Sequence, residues 1–457
     1  MNLLVKDKRF YKKMAVIAIP ISLQSMITIG VNMTDTVMVG KLGETSLSAA
    51  ALANQFVNIY QICCMGIAMG ASVLTSRFWG MQDITSLKKT ITLMLRLCIV
   101  LAVLFMLPTI LIPQLLMRMY TNDSAVIAQG VQYFKWMVYC YFLQGMTMTC
   151  TIVLRSVGQV NFPLFTSIGS FFVNILFNYM FIFGRLGVPR MEVEGAGVGT
   201  LIARVFEFSL ICGYFLFVDR KIGYRLKDLR MKCNSLIKDY VSISIPVFVS
   251  DSLFALGTSA VAMVMGRIGT GFVSANSITV VTQQLTTVII QGICHASCIM
   301  TGHTLGQGER EKAQQQAWTF LILGLVVGIL GGGLIKVLSR PIIGLYNITP
   351  ETAQIAGELM DAIAFIVIFQ SMNSILTKGV LRGGGDTKFL MVADIIFLWA
   401  ASLPLGILAG LVWHLDAFWI YVFLKIDQIC KSIWCVFRLR SGKWIKTFSK
   451  EKMNHAQ

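Results

Sequence analysis

Charge is scarce in this sequence. Of 457 residues only 13% are Asp, Glu, Lys or Arg, whereas 56% are apolar. Soluble domains carry roughly 25% charged residues, so a water-soluble enzyme is excluded. Acid is scarcer than base, 22 residues against 39, but the basic residues stand in short runs between apolar segments, which is the pattern of cytoplasmic membrane loops rather than of a nucleic-acid surface. Proline is limited to nine residues and no polar low-complexity tract occurs, which excludes disordered and fibrous chains. The eleven cysteines lack polar surroundings: all but Cys233 fall in apolar segments. A disulfide framework or zinc site needs spaced cysteines in a polar context, so these read as small apolar residues. Cys294-His295-Ala296-Ser297-Cys298 has metal-like spacing but no second ligand pair. Gly195-Ala196-Gly197-Val198-Gly199 follows no strand, and neither a Walker lysine, an HExxH motif nor a nucleophile elbow is present. No enzyme chemistry, cofactor or nucleic-acid partner is expected.

What the chain does have is long apolar runs. A spanning helix needs about 20 apolar residues, and twelve such runs occur: 14–39, 50–75, 90–112, 131–153, 162–183, 195–217, 239–262, 275–300, 314–337, 355–377, 388–411 and 416–437. The fold class expected is an all-α polytopic membrane protein with twelve transmembrane helices. The basic N-terminus ahead of Met14 marks a first membrane helix rather than a cleaved signal. With both termini cytoplasmic, the inside segments hold 27 of the 39 Lys and Arg residues and the outside segments eight, which satisfies the positive-inside rule. A multi-pass plasma-membrane protein, monomeric and surrounded by lipid, is the expectation.

The chain also repeats. An offset of 226 positions pairs Ile17-Ala18-Ile19-Pro20 with Ile243-Ser244-Ile245-Pro246, Gly40 with Gly266, Gly43 with Gly269, and Gly80 with Gly306. One inserted residue later, Val153-Leu154-Arg155 pairs with Val380-Leu381-Arg382 and Gly158 with Gly385. The reading is an N-terminal six-helix half over 1–217, a basic cytoplasmic linker over 218–238, and a C-terminal six-helix half over 239–457. An even number of spans per half makes the repeats parallel, related by a pseudo-two-fold axis along the membrane normal. That is a transporter design, in which access alternates between the two sides.

Carboxylates within spans are costly and rarely face lipid. Asp35 stands out because its repeat partner is Val261: the frame is shared and the acid is not. It lies six residues inside Lys41, or roughly 9 Å deep at 1.5 Å per residue. Asn174 and Asn178, one turn apart in the fifth segment, and Thr200, near the start of the sixth, fall at similar depth. Carboxylate, amide and hydroxyl oxygens suit a sodium ion. A desolvated carboxylate equally carries a proton, and membrane asparagines also serve as inter-helix glue. Asp251 and Asp361 are further candidates for a substrate or second-ion site. Asp394 reads as the partner of a base such as Lys431, while Glu207 and Asp427 sit three and four residues from Arg204 and Lys431 as intrahelical partners. Arg204 itself reads as a snorkelling base. The acids are expected to face a cavity without matched bases, and no metal site is expected beyond that for sodium.

Five stretches in order carry a resemblance: Asn32-Met33-Thr34-Asp35-Thr36-Val37-Met38-Val39-Gly40-Lys41-Leu42-Gly43; Leu154-Arg155-Ser156-Val157-Gly158-Gln159; Val173-Asn174-Ile175-Leu176-Phe177-Asn178-Tyr179; Glu194-Gly195-Ala196-Gly197-Val198-Gly199-Thr200; and Leu381-Arg382-Gly383-Gly384-Gly385-Asp386-Thr387. Over about residues 10–445 the chain resembles the multidrug and toxic compound extrusion (MATE) transporters, with a tail like that of Firmicutes members. The resemblance implies efflux of cationic or amphipathic small molecules in exchange for sodium ions or protons. It implies a coupling site at Asp35, Asn174 and Thr200, with Asn178 standing where one branch has a second acid. Another branch has a glutamate on its seventh helix; here that position is Phe254, with Asp251 three residues earlier. The alternative from the same superfamily is a flippase of lipid-linked saccharides.

Overall fold

A computed structural model of the chain describes residues 4–185, 187–344 and 348–447. Long apolar runs with few breakers give long helices: α1 (Lys8–Gly40), α2 (Glu44–Gly80), α3 (Ile84–Leu111), α4 (Ser124–Ser156), α5 (Asn161–Phe183), α6 (Glu192–Val218), α7 (Asn234–Ile268), α8 (Thr270–Gly306), α9 (Arg310–Ile343), α10 (Pro350–Leu381) and α11 (Thr387–Val412). The last, α12, is broken at Lys425 into Ala417–Leu424 and Ile426–Arg440. Eleven of the described helices are long and apolar enough to cross a membrane, and broken α12 is the twelfth segment read from the sequence.

Local chemistry sets the helix ends. Asp83 caps α3 by accepting from the Ser86 amide, Asp123 caps α4 by accepting from Ala125 and Val126, and Thr349 caps α10 just before Pro350. Gly43 turns the chain between α1 and α2 at φ 116°, a conformation that other residues rarely adopt. The break in α12 frees the Leu424 carbonyl, and Ser402 donates to it at 2.7 Å. A buried backbone oxygen in an apolar bundle needs such a donor.

The internal repeat recurs as packing. In the first half α2 packs on α3 and α4, α3 on α4, α4 on α6, and α5 on α6. In the second half α8 packs on α9 and α10, α9 on α10, α10 on α12, and α11 on α12. Each contact is displaced by six helices.

The compact units are Leu23–Ser244 and Met1–Ser22 with Ile245–Gln457. The divisions therefore fall inside α1 and α7 rather than in the linker 218–238. Pro20 and Pro246 lie beside those two points. A proline within a helix removes one backbone hydrogen bond and clashes with the preceding turn, so the ends of one helix can belong to different units. Accordingly Tyr240 Oη donates to the Ile67 carbonyl at 3.0 Å, and the Val5 amide donates to Thr319 Oγ1 at 3.0 Å. The linker contains a short 3₁₀ turn, Leu226–Arg230, docked on α3. Lys88 Nζ donates to the Gly223 carbonyl at 2.6 Å and to Asp228 at 3.0 Å. Arg96, which the sequence places within a span, is exposed and donates to the Leu229 and Met231 carbonyls.

Candidate functional site

Within the unit Leu23–Ser244 lies a cavity of about 360 Å³, walled by α1, α2, α4, α5 and α6. Asp35, Asn174 and Thr200 all line it. Asn178 stands behind them, buried, and ties two of them together. Its Nδ2 donates to Asp35 Oδ1 at 2.6 Å and to Asn174 Oδ1 at 3.2 Å. A one-turn spacing on α5 puts both amides on one face, and that face meets α1. A hydrogen bond to a charged group is worth roughly 1.5–3 kcal/mol, so Asp35 anchors this part of α1 to α5.

The Oδ1 atom of Asn178 is buried and has no partner among the described residues. It faces Gly199 on α6, where a Cβ would collide with it and would also come within 2.8 Å of the Asn178 backbone nitrogen. Gly199 is thus required by the close approach of α5 and α6. The Gly-x-Gly-x-Gly run of α6 is a packing surface, in keeping with small residues at membrane helix interfaces.

The cavity holds more charge than expected. Arg204 and Glu207 line it as well, joined by Arg204 Nη1 donating to Glu207 Oε2 at 2.9 Å. The expectation of acids without matched bases is therefore corrected, and so is the reading of Arg204 as a snorkelling base. The spacing held the signal: Arg204 is four residues and Glu207 seven residues beyond Thr200 on one helix, so all three share a face. Arg204 pairs with Glu207, and no described Lys or Arg makes an ion pair with Asp35. Two further lining residues are joined, with Tyr133 Oη donating to Asn54 Oδ1 at 3.2 Å. Gln24 Nε2 donates to Ser167 Oγ at 2.8 Å, and Gln24 Oε1 accepts from Arg155. Sequence reasoning missed this last group, because the neutral Gln24 and Ser167 resemble ordinary helix glue and Arg155 lies 131 positions from Gln24.

The remaining acids are placed elsewhere. Asp251 accepts from Arg382 Nη2 at 3.0 Å. Asp361 meets Lys336 at 2.5 Å, and both side chains are exposed. Neither acid lines the cavity around Asp35, and each has a matched base. Asp394 and Asp427 both meet Lys431, at 2.9 and 3.1 Å. Among the described residues no group of three or more His, Cys, Asp or Glu side chains is placed to hold a metal ion.

Comparison with known proteins agrees with this architecture. The MatE family profile matches residues 20–180 and 246–429, one block in each half. The chain is 24% identical over 441 residues to the probable multidrug resistance protein NorM of Thermotoga maritima, covering 95% of this chain and 93% of that protein. It is 24% identical over 434 residues to the uncharacterized transporter YisQ of Bacillus subtilis, covering 93% of each. Among solved structures, a MATE transporter of Vibrio cholerae superposes with a TM-score of 0.86 at 16% identity, covering 95% of this chain and 97% of that one. A MOP superfamily transporter from Pyrococcus furiosus gives 0.83 at 19% identity over 97% of this chain and 100% of that one. A duplicated bundle of membrane helices, matched by one family profile in both halves, identifies the chain as a member of the MATE family of multidrug efflux transporters.

Proposed function

We propose that this protein is a secondary active antiporter. It exports cationic or amphipathic small molecules in exchange for inward sodium ions or protons, with both termini cytoplasmic and the halves 1–217 and 239–457 alternating access. The observation that carries the reading is the Asn178–Asp35 bond of 2.6 Å at the wall of a cavity about 360 Å³ in volume. Asp35 is the coupling carboxylate, and Asn174, Asn178 and Thr200 are its partners. When a proton or a sodium ion occupies the carboxylate, its attraction for the Asn178 amide weakens and α1 is released from α5. An ion shifts such an equilibrium only through its different affinity for the two states, and this bond supplies the difference. Asp251 and Asp361 serve instead as counterions of Arg382 and Lys336.

The test is transport of ethidium by the purified protein in proteoliposomes, with sodium and proton gradients imposed separately. Gradient-driven ethidium movement under at least one of them is expected. Movement under neither, with correctly inserted protein, would overturn the reading. A reporter fused at residue 225 should lie in the cytoplasm.

A further inference from the structure

The unit that contains residues 245–457 has a cavity of its own, about 170 Å³, with the opposite charge pattern. Lys378, Arg382 and Lys431 line it against one carboxylate, Asp394. Two of these bases are committed: Lys431 to Asp394 and Asp427, and Arg382 to Asp251, which stands outside the lining. Lys378 has no ion-pair partner among the described residues. Its ammonium stands 4.7 Å from the centre of the Phe254 ring, and Lys431 stands 5.5 Å from the same ring. Arg382 is 4% exposed, and its Nε is a buried donor without an acceptor.

The backbone adds a second observation. Lys378 belongs to a π-helical turn, Ile375–Leu381. Such turns disturb the regular register of a helix and are frequent at functional sites. The repeat adds a third. Arg382 corresponds to Arg155 and Lys431 to Arg204, so those bases belong to the shared frame, whereas Lys378 corresponds to Thr151. The first half gains an acid, Asp35, where its mate has Val261; the second gains a base where its mate has a threonine.

We propose that this cavity is a binding site for the carboxylate of a small amphipathic molecule. Lys378 supplies the unspent charge, Arg382 Nε a hydrogen bond, and Phe254 an aromatic wall for the apolar body. A lysine ammonium is a compact charge suited to an anion, and a charge-assisted bond in a site shielded from water is among the stronger polar contacts. The proposal names a substrate class for the export reading, so transport of that class rests on that reading, but binding does not.

The experiment therefore measures binding without any gradient. Full-length protein in phosphatidylcholine nanodiscs is titrated by equilibrium dialysis with naphthalene-1-acetic acid at neutral pH and with its uncharged methyl ester. The acid should bind at least tenfold tighter than the ester. Lys378→Gln should weaken the acid about tenfold and leave the ester unchanged, which also shows that the variant is folded. Lys378→Arg should restore most of the loss. Equal affinity for acid and ester, or unchanged acid affinity in Lys378→Gln, would overturn the site. Displacement of the acid by phosphatidylglycerol added to the nanodiscs would reassign the cavity to a lipid headgroup and overturn the small-molecule assignment. Tight, Lys378-dependent binding without gradient-driven movement of the acid would uphold the site and count against the export of this class.

Discussion

Asn178 turns its amide nitrogen to Asp35 at 2.6 Å and its carbonyl oxygen to the Gly199 backbone. The amide thus meets the carboxylate as a donor, and the oxygens offered to a cation at this point are those of Asp35, Asn174 and Thr200. The arrangement depends on the absence of a Cβ at residue 199. Gly199→Ala should force α5 and α6 apart at this point, because its Cβ meets the Asn178 backbone as well as its side chain, and so separate Asn178 from Asp35. Ethidium efflux under a gradient should fall severalfold, with insertion maintained. Wild-type efflux in this variant would show that the Asn178 tie is dispensable.

Asp35→Asn removes the charge with little change in shape. Asn178 Nδ2 can still donate to the side-chain oxygen of the substituted amide, so the helices should assemble and the protein should reach the membrane in normal amount. Without a titratable or cation-binding group the gradient has nothing to act on, and driven efflux should be abolished. Asn178→Asp in the same background returns an acid to the neighbouring helix and should recover part of the activity. Transport at wild-type rate by Asp35→Asn under both gradients would sink the coupling assignment.

Much of this was legible in the sequence. Twelve apolar runs gave the helices, because lipid forces each crossing segment to satisfy its own backbone. The offset of 226 anticipated the recurrent packing, and the shared depth of Asp35, Asn174, Asn178 and Thr200 anticipated that they lie close together. Two things were hidden. The division of the chain at Ser22 and Ser244 depends on which neighbours the ends of α1 and α7 choose, and hydropathy is blind to that. The partners of Asp251, Asp361 and Arg204 depend on helix rotation, which depth along a helix does not specify. Arg382 lies 131 positions from Asp251, and only the fold brings them together.

Asp394 should behave differently from Asp35. It meets Lys431, whose side chain is 2% exposed, and it also accepts from Ser250. Breaking a fully buried ion pair costs about 3–5 kcal/mol because a charge is left uncompensated. Here Asp427 remains beside Lys431 at 3.1 Å, so Asp394→Asn should cost less, about 1–3 kcal/mol by the same reasoning. The expected result is a lower melting temperature and a lower yield of folded protein, with efflux per folded molecule largely retained. Unchanged stability combined with lost efflux would move Asp394 from a structural to a functional role.

The linker supplies a prediction about pH. Asp228 accepts from the Arg225 amide at 3.0 Å and from Lys88 at 3.0 Å. Burial raises its pKa, but the Arg225 amide and the Lys88 ammonium outweigh burial and hold the carboxyl below its ordinary value. A carboxylate depressed in the folded state contributes stability that is present above its unfolded pKa, about 3.9, and is lost as pH falls through the folded pKa. Linker docking should therefore be constant from neutral pH down to about pH 5 and loosen only below about pH 4. Asp228→Asn reproduces the protonated state at neutral pH. Its cost should be about 1 kcal/mol, as for a partly exposed pair with one additional amide bond. Hydrogen-exchange protection factors for residues 223–231, corrected for intrinsic rates, should fall about fivefold in this variant, while those in α3 beyond Arg96 stay the same. Protection that is equal in wild type and Asp228→Asn at pH 7 would show that the carboxylate does not hold the linker to α3.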